Sequence, residues 1–163
     1  MRPLRARPLT AAAFAPFGEV LEARGTPDRL INAGRCGRWH DRAMLDFDAE
    51  GRAGISLFRS RCVTLPYAVT LLERHPLGAQ AFLPMTADPF LVVVAPDAGG
   101  RPGPVLAFVT DGAQGVNYRR GTWHGVLAPL PGPGLFAVVD RIGPGANLEE
   151  FVLPEPITVA LAR

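Results

Sequence analysis

The sequence predicts an all-β protein, a barrel or sandwich of short strands with only a few short helical turns. Three observations carry this. Seventeen prolines and eighteen glycines are spread along 163 residues and cut the chain into many short segments. From residue 54 onward, runs rich in β-branched and aromatic residues recur at roughly 8–12-residue spacing, the signature of a sandwich or barrel. Between them lies turn chemistry: Pro-Leu-Gly at 76–78, Asp-Gly at 111–112 and Pro-Gly-Pro-Gly at 131–134.

In order along the chain, residues 4–9 read as a strand or extended arm. Thr10 is placed to N-cap a short helix through Ala11, Ala12, Ala13, Phe14 and Ala15, which Pro16 and Gly18 stop. A short strand at 19–22 follows, then loop at 24–28 and an extended piece from Ile31 and Asn32. Residues 34–41 gather Arg35, Arg38, Trp39, His40 and Asp41, a surface loop with Trp39 packed down; His40 suits either a cover over a pocket or a subunit contact. Strands are expected at 54–59, 67–75, 79–83, 90–95, 105–110, 115–118, 125–128 and 135–140. The run 90–94 is apolar on both faces, so it belongs in a barrel packed outside by another element, or at an edge paired with a second subunit. The tail from Pro144 reads as extended and proline-rich, with Glu149 and Glu150 solvated. No linker or repeat divides residues 1–163, which read as one domain. That length buries about 68–70 % of the unfolded surface.

Composition excludes several function classes. The net charge is only +2 and the cations are scattered, so no nucleic-acid stripe is present. All seventeen cationic residues are Arg, which rules out Schiff-base chemistry and a Lys base within the chain. Cys36 and Cys62 lack C-x-x-C spacing and read as small buried hydrophobes rather than a zinc or redox pair. The N-terminus has charge but no apolar run behind it, and no stretch approaches the ~20 apolar residues of a membrane span. A soluble cytoplasmic protein is the default expectation, with no nucleic-acid or membrane partner.

The chemistry concentrates around residues 68–84. Side chains on a strand alternate faces, so Val69, Leu71, Glu73 and His75 should share one face and Thr70, Leu72 and Arg74 the other. An apolar stripe ending in a carboxylate and an imidazole resembles the inner wall of a barrel meeting a polar pocket. Gln80 follows His75 by five residues, and His124 follows the Gly121-Thr122-Trp123 turn. Imidazole, carboxylate and amide groups gathered in an apolar barrel could hold a divalent metal or a small polar substrate. Imidazole also titrates near neutrality, which suits acid–base work.

The spacing Glu73-x-His75-x4-Gln80, with Gly121-x2-His124 later, resembles the two short motifs of the cupin superfamily. Glu73 stands where the first His usually stands and Gln80 where a Glu does, which makes a weaker metal cage. The strings ERHPLGAQAFLPM (73–85), GAQGVNY (112–118), WH (123–124) and VDRIG (139–143), with AFAPFGEV (13–20) and WHD (39–41), are similar to ureidoglycolate lyases from about Leu9 to Gly143. The resemblance implies a cupin-type double-stranded β-barrel (jelly roll), a homodimer, and cleavage of (S)-ureidoglycolate to glyoxylate and urea in allantoin catabolism. It also implies a divalent ion, nickel being the one associated with the family, and no organic cofactor.

On that reading His75 or His124 is the base and Glu73 orients an imidazole or acts as the acid. Gln80 bonds the hydroxyl or ureido group, and Asn117, Tyr118 and Asp140 add polar contacts. The substrate carboxylate needs a cation, for which Arg59 and then Arg74 are candidates; Arg59 is in phase with Ile55 and Leu57 and points inward if that face is interior. A metal would be held by Glu73, His75, Gln80 and His124. Competing readings are a metal-dependent cupin dioxygenase or isomerase, against which the missing His-x-His argues, and a non-catalytic binder of small carboxylates.

Overall fold

Strands make up nearly all the regular structure of the computed structural model, which describes residues 3–162. In chain order they are β1 (Leu4–Pro8), β2 (Gly18–Leu21), β3 (Arg29–Ile31), β4 (Cys36–Arg38), β5 (Arg52–Arg59), β6 (Tyr67–Arg74) and β7 (Gln80–Pro84). There follow β8 (Phe90–Ala95), β9 (Leu106–Val109), β10 (Gly115–Tyr118), β11 (Trp123–Gly125), β12 (Ala128–Pro129), β13 (Leu135–Ile142) and β14 (Glu149–Leu161). A single helical turn, α1 (Ala11–Phe14), lies between β1 and β2; Thr10 caps it, its hydroxyl oxygen accepting from the Ala13 amide at 3.3 Å.

Seven strands form one sheet in the order β11-β6-β14-β1-β9-β8-β12, and β11 also pairs with β8, so this sheet closes on itself. Five form a second, β2-β10-β7-β13-β5, and β3-β4 is a separate hairpin. This all-β closed barrel agrees with the expected cupin-type architecture. Two apolar clusters lie on opposite faces of β8. Phe90, Val92 and Val94 pack with Phe14, Phe108, Tyr118, Phe136 and Val138, whereas Leu91, Val93 and Ala95 pack with Val69, Leu72, Trp123 and Val159. Apolarity on both faces of this strand thus reflects burial on both sides. It is no edge for a second subunit, because β9 flanks it on one side and β11 and β12 on the other.

Elsewhere the tertiary structure departs from the expectation. The single strand at 125–128 is two pieces, β11 and β12. The step from His124 to Ala128 is four residues, opposite a three-residue step from Val94 to Leu91, so one extra residue is accommodated as a bulge. The tail is the longest strand, and its ladder with β6 shifts register between Val152 and Ile157. Pro154 and Pro156 lie in that interval and have no N–H to donate. Over the same stretch β6 changes face: Val69 and Leu72 share one cluster although three residues apart. The apolar stripe therefore does not run straight from Val69 into Glu73. Cys36 and Cys62 are exposed free thiols, not buried hydrophobes, since the hairpin and the loop after β5 that carry them lie on the surface.

Candidate active site

The site begins with cross-strand register. On β11, His124 lies directly opposite Glu73 of β6 and opposite Val94 of β8, so its ring is fully enclosed, 1 % exposed. The Tyr118 ring stacks flat on it, with centroids 4.1 Å apart and 6° between planes. His75 follows the end of β6, and its ring centroid is 5.3 Å from that of His124. Glu73, His75 and His124 each offer one ligand atom within 4.8 Å of the others. β6 ends at Arg74, so His75 lies one residue beyond it rather than within the strand expected at 67–75, yet it still meets Glu73 in this cluster.

Each imidazole has one nitrogen committed. The Nδ1 atoms of His75 and His124 lie 2.6 Å from the Asn147 carbonyl oxygen and 3.0 Å from that of Gly125. A carbonyl only accepts, so both Nδ1 atoms carry a proton, and in the neutral form of each ring Nε2 presents the lone pair. Those two Nε2 atoms are buried with no partner. Gln80 lies beside Tyr118 in the ladder and bonds Asp140; its Oε1 and the Asp140 Oδ1 are also buried and unpartnered. Four unsatisfied polar atoms from four elements thus gather around one triad.

The electrostatics follow from burial. Desolvation raises the Glu73 carboxyl above the ordinary range, only partly offset by His75. Burial, reinforced by His75, pushes His124 down to about 3. Burial also raises the Asp140 carboxyl, against the Gln80 bond and the nearby His75. The Tyr118 phenol is raised by burial and then by Glu73. A cavity of about 530 Å³ opens onto Glu73, lined also by Phe58, Arg59, Ser60, Val126 and Leu127, a size that suits a small ligand.

Against this geometry the similarities to known proteins are specific. A family model described as ureidoglycolate lyase matches residues 1–160. The chain is 63% identical to a ureidoglycolate lyase of Rhodobacter capsulatus over 98% of this chain and 99% of that one. It is 50% identical to one from a Chelativorans species, covering 99% and 98%, and 47% identical to ureidoglycolate lyase 2 of Rhizobium meliloti, covering 99% and 100%. The chain belongs to the ureidoglycolate lyase family.

In this member of the ureidoglycolate lyase family, three expected site residues lie elsewhere or differently. Arg74 faces away and is saturated: it bonds Asp97 at 2.8 Å and Glu149 at 2.6 Å and covers the Trp123 ring at 4.5 Å. Asn117 takes the face of β10 opposite Tyr118, where its amide donates to Glu19 at 2.7 Å and to the Met44 carbonyl at 3.1 Å. The face of β5 bearing Ile55 and Leu57 is the outer one, so Arg59 does not point into the barrel. It lines the cavity mouth that Glu73 also reaches. His40 is exposed beside Arg38, and Trp39 donates to the Arg24 carbonyl. Asn147 escaped notice because it acts through its backbone carbonyl, which leaves no signature in the sequence.

Proposed function

We propose that this protein cleaves (S)-ureidoglycolate to glyoxylate and urea; the observation that carries this is the Glu73, His75 and His124 cluster, with one donor atom of each within 4.8 Å of the others and both imidazole Nε2 atoms buried without a partner. The substrate is a hemiaminal: one carbon bears a hydroxyl, a carboxylate and a urea nitrogen. Cleavage removes the hydroxyl proton, forms the carbonyl, and sends the C–N electron pair to nitrogen, which is protonated. His75 accepts the hydroxyl proton, since His124, pushed down to about 3, is the poorer base near neutrality. Glu73, its carboxyl raised by burial, donates to the departing nitrogen and is reprotonated from His75. Arg59 at the mouth pairs with the substrate carboxylate, and Gln80 with Asp140 bonds the ureido group. Family membership favours this lyase reading over a dioxygenase, an isomerase or a passive binder.

Two imidazole lone pairs and a carboxylate also form a donor set that fits a divalent cation, nickel by family resemblance. Glu73, His75 and His124 would hold it, with the Gln80 amide oxygen adjacent. Bound there, it supplies Lewis acidity to the hydroxyl and carboxylate oxygens. One lone pair on His75 cannot both ligate and accept a proton, so chelation decides between the roles. Turnover retained in metal-free protein leaves His75 as the base. Turnover lost and restored by added cation assigns the lone pairs to ligation and passes the base role to Asp140.

The direct test is to incubate pure protein with racemic ureidoglycolate and measure glyoxylate and urea. The expected result is equal amounts of both from one enantiomer only; glyoxylate at the uncatalysed rate would refute the activity. One domain spanning the chain performs this reaction, and a second copy covers the outer face of the five-stranded sheet. There Ile55 is 77 % and Leu57 68 % exposed, next to Val139 and Ala137 in the ladder and, beyond those, Ala81 and Leu83. The two free surface thiols fit a reducing cytoplasm. Among the described residues no helix is long and apolar enough to cross a membrane.

A further inference from the structure

His75 lies outside any strand, so the ladder that orients Glu73 and His124 does not orient its ring. What holds it comes from two sides. The His75 carbonyl accepts from the Gly121 amide at 2.9 Å, and the Arg120 guanidinium donates to the Pro76 carbonyl at 2.6 Å, which fixes the backbone. Among the described residues, the hydrogen bond of the ring goes to the Asn147 carbonyl, at 2.6 Å from Nδ1, while the His124 ring lies against it at 5.3 Å between centroids.

That carbonyl is itself held. The Asn147 side-chain oxygen accepts from the Leu77 amide at 2.8 Å, so one residue grips the turn twice, once through its side chain and once through its backbone. Further back, Arg141 pairs with Asp48 and donates to the Pro144 carbonyl at 2.7 Å, anchoring the start of the same loop. The loop thus arrives at His75 tethered at both ends.

We propose that Asn147 is a positioning residue that locks His75 in the Nδ1-protonated tautomer and so aims its Nε2 lone pair into the site. Without the Leu77 bond the loop is free to drift, the carbonyl leaves Nδ1, and the imidazole is free to place its proton on either nitrogen. A proton on Nε2 removes the lone pair that the site needs, whether for proton transfer or for ligation. This role rests on the lyase reading only for its catalytic consequence; the tautomer itself is measurable without substrate.

The test compares wild-type protein with Asn147→Ala and Asn147→Asp, all treated with chelator so that no cation imposes the tautomer. Long-range ¹H–¹⁵N correlation spectra report which His75 nitrogen is protonated, and steady-state kinetics report the consequence. Wild type should show a single Nδ1-protonated form. Asn147→Ala should show both forms and lose about 10–100-fold in kcat, the usual effect of removing a group that orients an imidazole, with KM little changed. Asn147→Asp keeps an acceptor for the Leu77 amide and should restore the single form and most of the rate. Asn147→Ser, whose shorter side chain does not reach that amide, replaces the alanine variant if the latter does not fold. A single Nδ1-protonated form in the alanine or serine variant overturns the proposal, and so does an equal loss of rate in the alanine and aspartate variants. A protein that shows the tautomer change yet cleaves no ureidoglycolate refutes the lyase reading and leaves the positioning role standing.

Discussion

His124 is neutral because it is buried, and that neutrality makes stability depend on pH in a definite direction. Unfolded, the imidazole titrates near 6.5; folded, near 3. Between those values the unfolded chain binds the extra proton, so stability rises with pH and is lost as pH falls from about 6.5 toward 3. The slope from this one group reaches at most about 1.4 kcal/mol per pH unit. Glu73 and Asp140 act oppositely: their raised folded values favour the fold at low pH, and that contribution fades as pH rises through them. Thermal melts of wild type and His124→Asn across this window separate the two, and the variant should give the flatter curve; identical slopes would contradict a buried neutral His124. Arg59 and Arg74 make a second contrast. Arg59→Ala should raise KM about tenfold, the value of one charge-assisted hydrogen bond, with a smaller effect on kcat. Arg74→Ala, which breaks two ion pairs on the outer face, should leave KM unchanged and lower the melting temperature.

Within β6 the change of face carries a stability prediction. Simple alternation from Glu73 back to Val69 would bury Leu71 and leave Leu72 outside. Instead Leu72 is fully buried, packing in the same cluster as Trp123 and Val159, while Leu71 pairs with exposed Val152. Leu72→Ala should therefore cost about 2–5 kcal/mol in denaturant unfolding, and Val152→Ala should stay within about 0.5 kcal/mol of wild type. Equal effects at the two positions would mean that the strand keeps one phase throughout. Boundaries of the central strands were legible from turn residues and alternation, and 90–95 and 115–118 coincide with β8 and β10. The prolines that made the tail look merely extended do interrupt its ladder, but pairing with β6 and β1 on either side of them holds the strand. That support comes from residues more than sixty positions away, which no local pattern records.

Across the molecule, the inner wall of the five-stranded sheet is filled by Phe58, Phe82, Phe136 and Val138, and its outer wall is apolar too. A sheet apolar on both faces needs cover on both. On the proposed homodimer, Leu57→Glu should give a monomer in sedimentation velocity while the fold persists; a monomeric wild type would remove the premise. The residue types of the site, its strand-rich frame and its family resemblance were all readable along the chain, because alternation, turn chemistry and short motifs are local properties. Which arginine faces the cavity, which side of β10 Asn117 takes, and which backbone carbonyl sets the tautomer of His75 were decided only in three dimensions. Each depends on register between distant strands, and a one-residue bulge reverses the face of everything beyond it.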